Sequence, residues 1–567
     1  MNMILQALNQ YYDRLKEDPE SGVPLSGFSR EKFSFELVID NNGNLLQVAD
    51  IRGSSQKGKQ IPKLLVVPQG TKKSVNISAN FLWGNTGYVL GIDSKGKQKR
   101  TVETFIDFKK LAHEIGDNIN DLEMEAVLKF LDNWNPDDPK SQSMIKDAID
   151  ANLVFRIDGY LSYVHENKLV KEAWLKHFSQ KKSEFVGECL ITGKKKEITR
   201  LHPAIKGVRG AQSSGANIVN FNLDSFCSYS KSQGFNAPVS EEATFAYTTA
   251  LNYLLSMDSR KVQIGDATTV FWSEKPSVLE NFLSEIFNPT QEDANIVEDV
   301  RRFLEAVSTG NMPKAIDGTT KFYILGLSPN ASRLSVRFWY EGTVEEVSKS
   351  IGKHFQDIAI EKQSEKDKEF PGLWHLLVQT AVLGKTDNIN PLLSGELARS
   401  ILTQWHYPEC MLSALIGRIR AGEKINYLRS AMIKGILVRN HGKEVSMSLD
   451  KSNKEPAYLL GRLFAVLEKA QQDALGDINA TIKDRYYSSA SATPLSTFPI
   501  LLRLNKHHTS KGEHGGFYDS LNAEILEQLP AQKFPSHFTL EEQGLFAIGY
   551  YHQRNDFYKK KETKHEG

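Results

Sequence analysis

FYILGLSPNASRLSVRFWY, spanning Phe322–Tyr340, is the last stretch of the chain that reads as β-structure, and it decides the fold. Two runs rich in aromatic and branched residues flank Ser328, Pro329 and Asn330. These turn formers predict a pair of strands reversing at those three positions. Beyond about residue 345 the apolar spacing changes to a helical period. LLGRLFAVLEKAQQDAL (459–475) places Leu460, Phe464, Leu467 and Gln471 near one face, and FPILLRLNKHHTSK (498–511) sets Phe498, Leu501, Leu502 and Asn505 inward while Arg503, Lys506 and His507 share another face. Towards the N-terminus the pattern is mixed. FSFELVID, LLQVAD, KLLVVP and YVLGID read as short strands, and 105–185 reads as helical. EEATFAYTTALNYLL then reads as a helix and TTVFWS as a strand. The fold class expected is therefore α+β, with a mixed β-rich and helical region over 1–345 followed by an all-α bundle over 346–567.

At 567 residues and 40% hydrophobic content, the chain exceeds what one core usually supports, so two or three domains are expected. No run of about 18 uncharged apolar residues occurs, and the first twenty residues carry acids too early for a secretory signal, so a cytoplasmic chain with no membrane partner is expected. Only three cysteines occur, Cys189, Cys227 and Cys410, far apart and unpaired in spacing, which argues against both a disulfide framework and a four-cysteine zinc site.

The net charge is only +1, yet its distribution is uneven. Residues 51–100 hold ten basic side chains against the single acid Asp93, while acids gather over 281–310. Lys194, Lys195, Lys196, Arg200, Lys206 and Arg209 form a second basic run against Glu197, within a turn-rich stretch containing Gly207, Gly210 and Gly215. Clustered cations neutralise phosphates, and glycines let backbone approach them closely. Gln212, Ser213, Ser214 and Asn217 add donors and acceptors suited to groove edges or sugar–phosphate oxygens. In the first basic segment Lys72, Lys73, Asn76 and Asn80 are the candidate contacts, whereas the interleaved Phe81 and Trp83 read as core. The bland alternatives are a solvated set of strands and a tight interior crossing.

Catalytic spacing is not apparent. LGKTDN (383–388) ends like a phosphate-binding loop, but its first glycine position is Gln379 and the preceding segment reads as helix. His113–Glu114 is followed at the fourth position by Asp117 instead of a second histidine, and His507, His508 and His514 lack a completing ligand. No catalytic residue, metal or cofactor is expected. A nuclease or RNA-processing enzyme, and a purely structural scaffold of a ribonucleoprotein, are the competing classes.

Five stretches, in chain order, carry a resemblance: NFLWGNTGYVLG, RLHPAIKGVRGAQSSGANIVNFNLDSFCSYSKSQGFNAPVSEEATFAYTTALNYLL, FYILGLSPNASRLSVRFW, YLLGRLFAVLEKAQ and FPILLRLNKHH. Together they closely resemble the large-subunit family of type I-C CRISPR surveillance complexes (Cascade), the Cas-eight family of subtype c. One departure is Ser230, where the family pattern has glycine. The resemblance implies a division of labour in which guide RNA reads sequence by pairing and protein reads a short flanking motif, the PAM, on duplex DNA. It also implies guide crRNA and PAM-bearing double-stranded target DNA as ligands, with the Cascade backbone and RNA-processing subunits as neighbours. A helicase-nuclease would be recruited after R-loop formation. The C-terminal bundle is similar to the family's small subunit from about residue 447, with Met447 as a candidate internal start, and Arg503, Lys506 and Lys511 would support target and displaced strands.

Overall fold

Aromatic and branched residues over 35–39 and 152–157 fill both faces of two strands, and around them the first of two packing units is built. The computed structural model describes all residues except 1–2, 55–57, 59, 71–76, 97, 181–184, 288–300, 303–316, 477–478, 531–532 and 559–567. One unit comprises Leu5–Ala204 and Val219–Tyr253. The other comprises Met1–Ile4, Ile205–Ile218 and Leu254–Gly567.

The N-terminal unit follows the order α1 (Ile4–Glu17, from Leu5 in this unit), β1 (Phe28–Phe33), β2 (Phe35–Ile39), β3 (Leu45–Asp50), β4 (Gly53–Ser54), β5 (Gln60–Ile61), β6 (Lys63–Pro68), β7 (Trp83–Asn85) and α2 (Thr86–Val89). It continues with α3 (Gln98–Gly116), α4 (Leu122–Asn133), α5 (Pro139–Met144), β8 (Asn152–Ile157), α6 (Lys168–Gln180), β9 (Val186–Glu188), β10 (Lys195–Glu197) and α7 (Glu241–Ser256), within which the division between units falls. The main sheet has the order β3-β2-β8-β7. Strands β2 and β8 run parallel, with Phe35 opposite Leu153, and both outer pairings are antiparallel. Leu37, Ile39, Phe155, Phe108 and Phe130 meet in the core between this sheet and the helices. β1 and β6 form a separate antiparallel ribbon.

Two expectations change here. YVLGID does not form a strand: the Asn85 side chain accepts a hydrogen bond from the Tyr88 amide at 3.2 Å, capping the short helix α2. The region 105–185 is not wholly helical either, because Leu153–Val154–Phe155 supplies the buried strand β8.

In the C-terminal unit β11 (Lys261–Ile264), β12 (Ala267–Ser273), β13 (Lys321–Asn330) and β14 (Arg333–Thr343) form an antiparallel meander in chain order, with α8 (Leu279–Phe287) following β12. The predicted strand pair is present, but its turn sits later than expected. Ser328, Pro329 and Asn330 belong to β13, opposite Ser335, Leu334 and Arg333, and the chain reverses at Ala331–Ser332 with Ala331 at φ 52°. Proline is tolerated near a strand end, so it does not force the reversal.

Every described element after β14 is helical: α9 (Val344–Ile358), α10 (Leu373–Leu377), α11 (Pro391–Thr403), α12 (Glu409–Arg420), α13 (Tyr427–His441), α14 (Pro456–Leu475), α15 (Ile482–Ala492), α16 (Pro494–Thr509), α17 (Gly515–Glu527) and α18 (Leu540–Tyr558), with short 3₁₀ turns between some of them. The chain is thus α+β with a helical C-terminal region. The switch into helix at Val344 is sharp because Thr343 and Glu346 form a reciprocal capping box. Helix α14 is buried on nearly every face of its first four turns rather than on a single stripe, since α16, α17 and α18 all pack on it. LGKTDN lies in consecutive 3₁₀ turns following α10.

Candidate nucleic-acid interface

The Gly-Ala-Gln-Ser-Ser-Gly run is held by both of its ends. Ile205 and Ala216 are buried and exchange backbone hydrogen bonds at 2.8 and 2.9 Å, closing a loop over 206–215. Inside it, the Ala211 amide reaches the Val208 carbonyl at 3.1 Å and the Gly215 amide reaches that of Gln212 at 2.9 Å, so the loop is two successive turns. Val208 is its inward anchor. Gly207 and Gly210 take φ values of 97° and 80°, and a side chain at Gly210 would crowd Pro329 at 3.3 Å.

The loop is docked on the meander. The Arg209 amide donates to Thr268 Oγ1 at 3.0 Å, while the Asn217 amide donates to the Ser332 carbonyl at 3.1 Å and the Asn217 carbonyl accepts from the Leu334 amide at 2.9 Å. Asn217 therefore extends the sheet beside Arg333, and its backbone is a structural tie. Lys206, Arg209, Gln212, Ser213 and Ser214 are exposed together on this loop. Arg209 makes no ion pair among the described residues, so its charge is available to a polyanion. Arg333, which begins β14 directly beside Asn217, is a cation that sequence reading passed over as part of a strand. The backbone bridge between Asn217 and Arg333 sets the loop beside it.

The second basic run is continuous in sequence but not in packing. Lys194–Arg200 lie in the N-terminal unit and Lys206 onward in the other. Lys196 is paired with Glu242, and Arg200 Nη1 donates to Gln233 Oε1 at 2.6 Å.

In the first basic segment, Lys72, Lys73 and Asn76 lie outside the described residues. Phe81 and Trp83 are core, as expected: Phe81 stacks on Trp174 at 5.6 Å, and Trp83 Nε1 donates to the Pro68 carbonyl at 2.7 Å. Asn80 requires a correction. It is only 5% exposed, with its Oδ1 close to Gly70, so its amide is not offered to base edges but belongs to the interior of the N-terminal unit.

On α16 the expected two-faced arrangement is present. Phe498, Leu501 and Asn505 are buried while Arg503, Lys506 and His507 are exposed, and Lys511 is exposed in the turn that follows. Arg503, Lys506 and Lys511 make no ion pair among the described residues. His508 titrates below its ordinary range, through partial burial and then the positive charges of His507 and Lys511. No helix among the described residues is long and apolar enough to cross a membrane.

No curated protein matches the chain. The family model described as "CRISPR-associated protein (Cas_Csd1)" matches residues 8–558, which takes in both packing units, the docked loop and the α16 patch. The chain belongs to the Cas_Csd1 family of CRISPR-associated proteins.

Proposed function

We propose that the chain is the large, non-catalytic subunit of a type I-C surveillance complex, working with crRNA and other CRISPR-associated proteins. In this reading it recognises a short flanking motif in duplex DNA, promotes strand separation and R-loop formation, and offers a docking surface to a separate helicase-nuclease. The observation that carries the reading is the docked loop 206–215. A hydrogen-bonded frame presents Lys206, Arg209, Gln212, Ser213 and Ser214 on one exposed loop, which is the combination needed to fix a phosphate and read an adjoining base edge. Lys72, Lys73 and Asn76 are the proposed contacts of the first basic segment, and Arg503, Lys506 and Lys511 support the strands once separated.

Gel-shift affinity of the assembled complex for duplexes with and without the flanking motif tests this. Lys206→Ala, Arg209→Ala and Gln212→Ala together are expected to erase the preference for the motif and to weaken binding overall. Unchanged preference in that triple variant would remove the loop from motif reading. Metal-dependent cleavage by the purified chain alone would overturn the non-catalytic assignment, and equal affinity for both duplexes in the unaltered complex would favour a scaffold.

A further inference from the structure

We propose that Tyr229 is a stacking platform for an unpaired nucleobase, an inference that rests on the nucleic-acid-binding reading but concerns a different surface, in the N-terminal unit. The segment Ser228–Lys231 is a tight turn closed by the Lys231 amide on the Ser228 carbonyl at 3.0 Å, with Tyr229 at φ 51° and Ser230 at φ 58°. Gln233, two residues on, is also left-handed at φ 47°. Side-chain-bearing residues avoid this region, and a bulky aromatic is a particular outlier there. Three such residues within five do not persist unless the surroundings impose them.

The surroundings do impose them. Asn236 accepts from the Ser228 amide at 2.8 Å and donates to the carbonyls of Lys231 and Gln233, both at 2.9 Å, so a single side chain ties the turn at three points. Arg200 Nη1 holds the Gln233 side chain at 2.6 Å. The Gly234 amide donates to the Arg200 carbonyl at 3.0 Å, and a Cβ at Gly234 would stand 2.6 Å from the carbonyl oxygens of Thr199 and Arg200. This bracing leaves the Tyr229 side chain 94% exposed. A single exposed tyrosine is ordinary. One projected by a strained and multiply tied turn is pre-organised for a ligand.

The chemistry around the ring favours a nucleic acid over a protein partner. Residues 225–236 contain no Asp or Glu, and Ser225, Ser228, Ser230 and Ser232 supply hydroxyl donors along with Lys231. Neither Lys231 nor Arg200 makes an ion pair among the described residues. An exposed aromatic side chain two residues from a cation that makes no ion pair among the described residues, in a hydroxyl-rich stretch, matches a base with its phosphates. Bases inside a duplex are already stacked on their neighbours, so the ring calls for an unpaired base, from RNA or from a separated DNA strand.

The test uses the full-length chain and fluorescence anisotropy with a single-stranded RNA of about ten nucleotides, the matching DNA strand, and a blunt duplex. Tyr229→Ala is expected to weaken binding of at least one single strand about fivefold or more, with Tyr229→Phe and Tyr229→Trp retaining it. The two single-strand arms distinguish RNA from DNA. The slope of affinity against salt should not change, because stacking releases no counterions. Ser230→Gly, which relieves one left-handed residue, should bind like the unaltered chain, and thermal melting of every variant checks folding. Unchanged affinity of Tyr229→Ala for both single strands overturns the proposal, as does a Tyr229→Phe variant as weak as alanine. Loss of a co-purifying protein subunit with single-strand affinity intact would make the turn a protein contact, and also overturns it. Failure of motif reading appears instead in the duplex preference of loop 206–215 variants, so the two readings fail separately.

Discussion

A Cβ at Gly549 would overlap the carbonyl oxygen of Tyr458, so α18 lies against α14 at a separation that only a hydrogen side chain permits. The relation is reciprocal: a Cβ at Gly461 would overlap the carbonyl oxygen of Phe546. Leu463, Phe464, Leu467, Phe546 and Tyr550 close around the crossing as part of one continuous core. Alanine in place of glycine normally stabilises a helix by roughly 0.5–1 kcal/mol. Here the sign reverses, because overpacking a helix contact costs about 1–3 kcal/mol. Gly549→Ala and Gly461→Ala are therefore expected to lower the urea midpoint of the C-terminal unit, whereas Gly417→Ala on α12, where a Cβ meets nothing within 4 Å, should raise it. Equal behaviour of the three variants would refute the close crossing.

Each packing unit also holds a histidine kept neutral by burial. His354 is enclosed with its Nδ1 at 2.7 Å from the Tyr407 hydroxyl, and His165 lies within the N-terminal unit; burial first, then a nearby cation (Arg439 and Lys171 respectively), holds both down to about 3. The folded chain thus binds fewer protons than the unfolded chain between about pH 6.5 and 3, so stability rises with pH across that window and is lost on acidification. The slope contributed by each histidine is at most about 1.4 kcal/mol per pH unit. Urea titrations at pH 7 and pH 5 should show this loss, and His354→Gln should flatten it while lowering stability at pH 7. An unchanged pH dependence in that variant would mean that His354 is not the proton acceptor.

The change from strands to helices near residue 345 was legible because the apolar period changes there, and the structure adds the capping pair Thr343 and Glu346 as its local cause. The hairpin turn was misplaced because proline is read as a turn former wherever it falls, while the φ of 52° at Ala331 has no sequence signature. Asn80 misled for a related reason. Amides between lysines and aromatics look like a surface strip, but alternation alone does not show which side of the segment faces inward. The division between units after Ala204 cuts a continuous basic run and leaves no trace in composition. Ser230 is the reverse case: the resemblance led us to expect glycine there, and the φ of 58° at Ser230 is a conformation that glycine adopts without strain.

The α16 patch yields a salt prediction. Each cation that neutralises a phosphate of a single strand contributes about 0.7 to the slope of log affinity against log salt. Arg503→Ala, Lys506→Ala and Lys511→Ala together should lower that slope by about 2 for single-stranded DNA bound to the assembled complex. Their effect on the preference for the flanking motif should be nil, because backbone contacts carry no sequence information. A triple variant with an unchanged slope would show that this face of α16 does not meet the strand.

Met447 offers a clean test of internal initiation because of where it sits. It lies in the irregular segment between α13 and α14, its carbonyl accepts from the Glu361 amide at 2.8 Å, and it is 58% exposed. The backbone does the structural work, so Met447→Leu should leave the stability of the full chain within about 0.5 kcal/mol. If Met447 starts a short product, that product would carry α14 to α18 and the Gly461–Gly549 crossing intact. It would also lack α13, whose Ile433 and Leu437 pack against Gly544, and so would expose an apolar strip on α18. The expected result is a short co-purifying polypeptide with the unaltered gene, absent with Met447→Leu while full-length protein and its melting temperature stay the same. A short band that persists in the variant would place its origin elsewhere, in another start or in proteolysis.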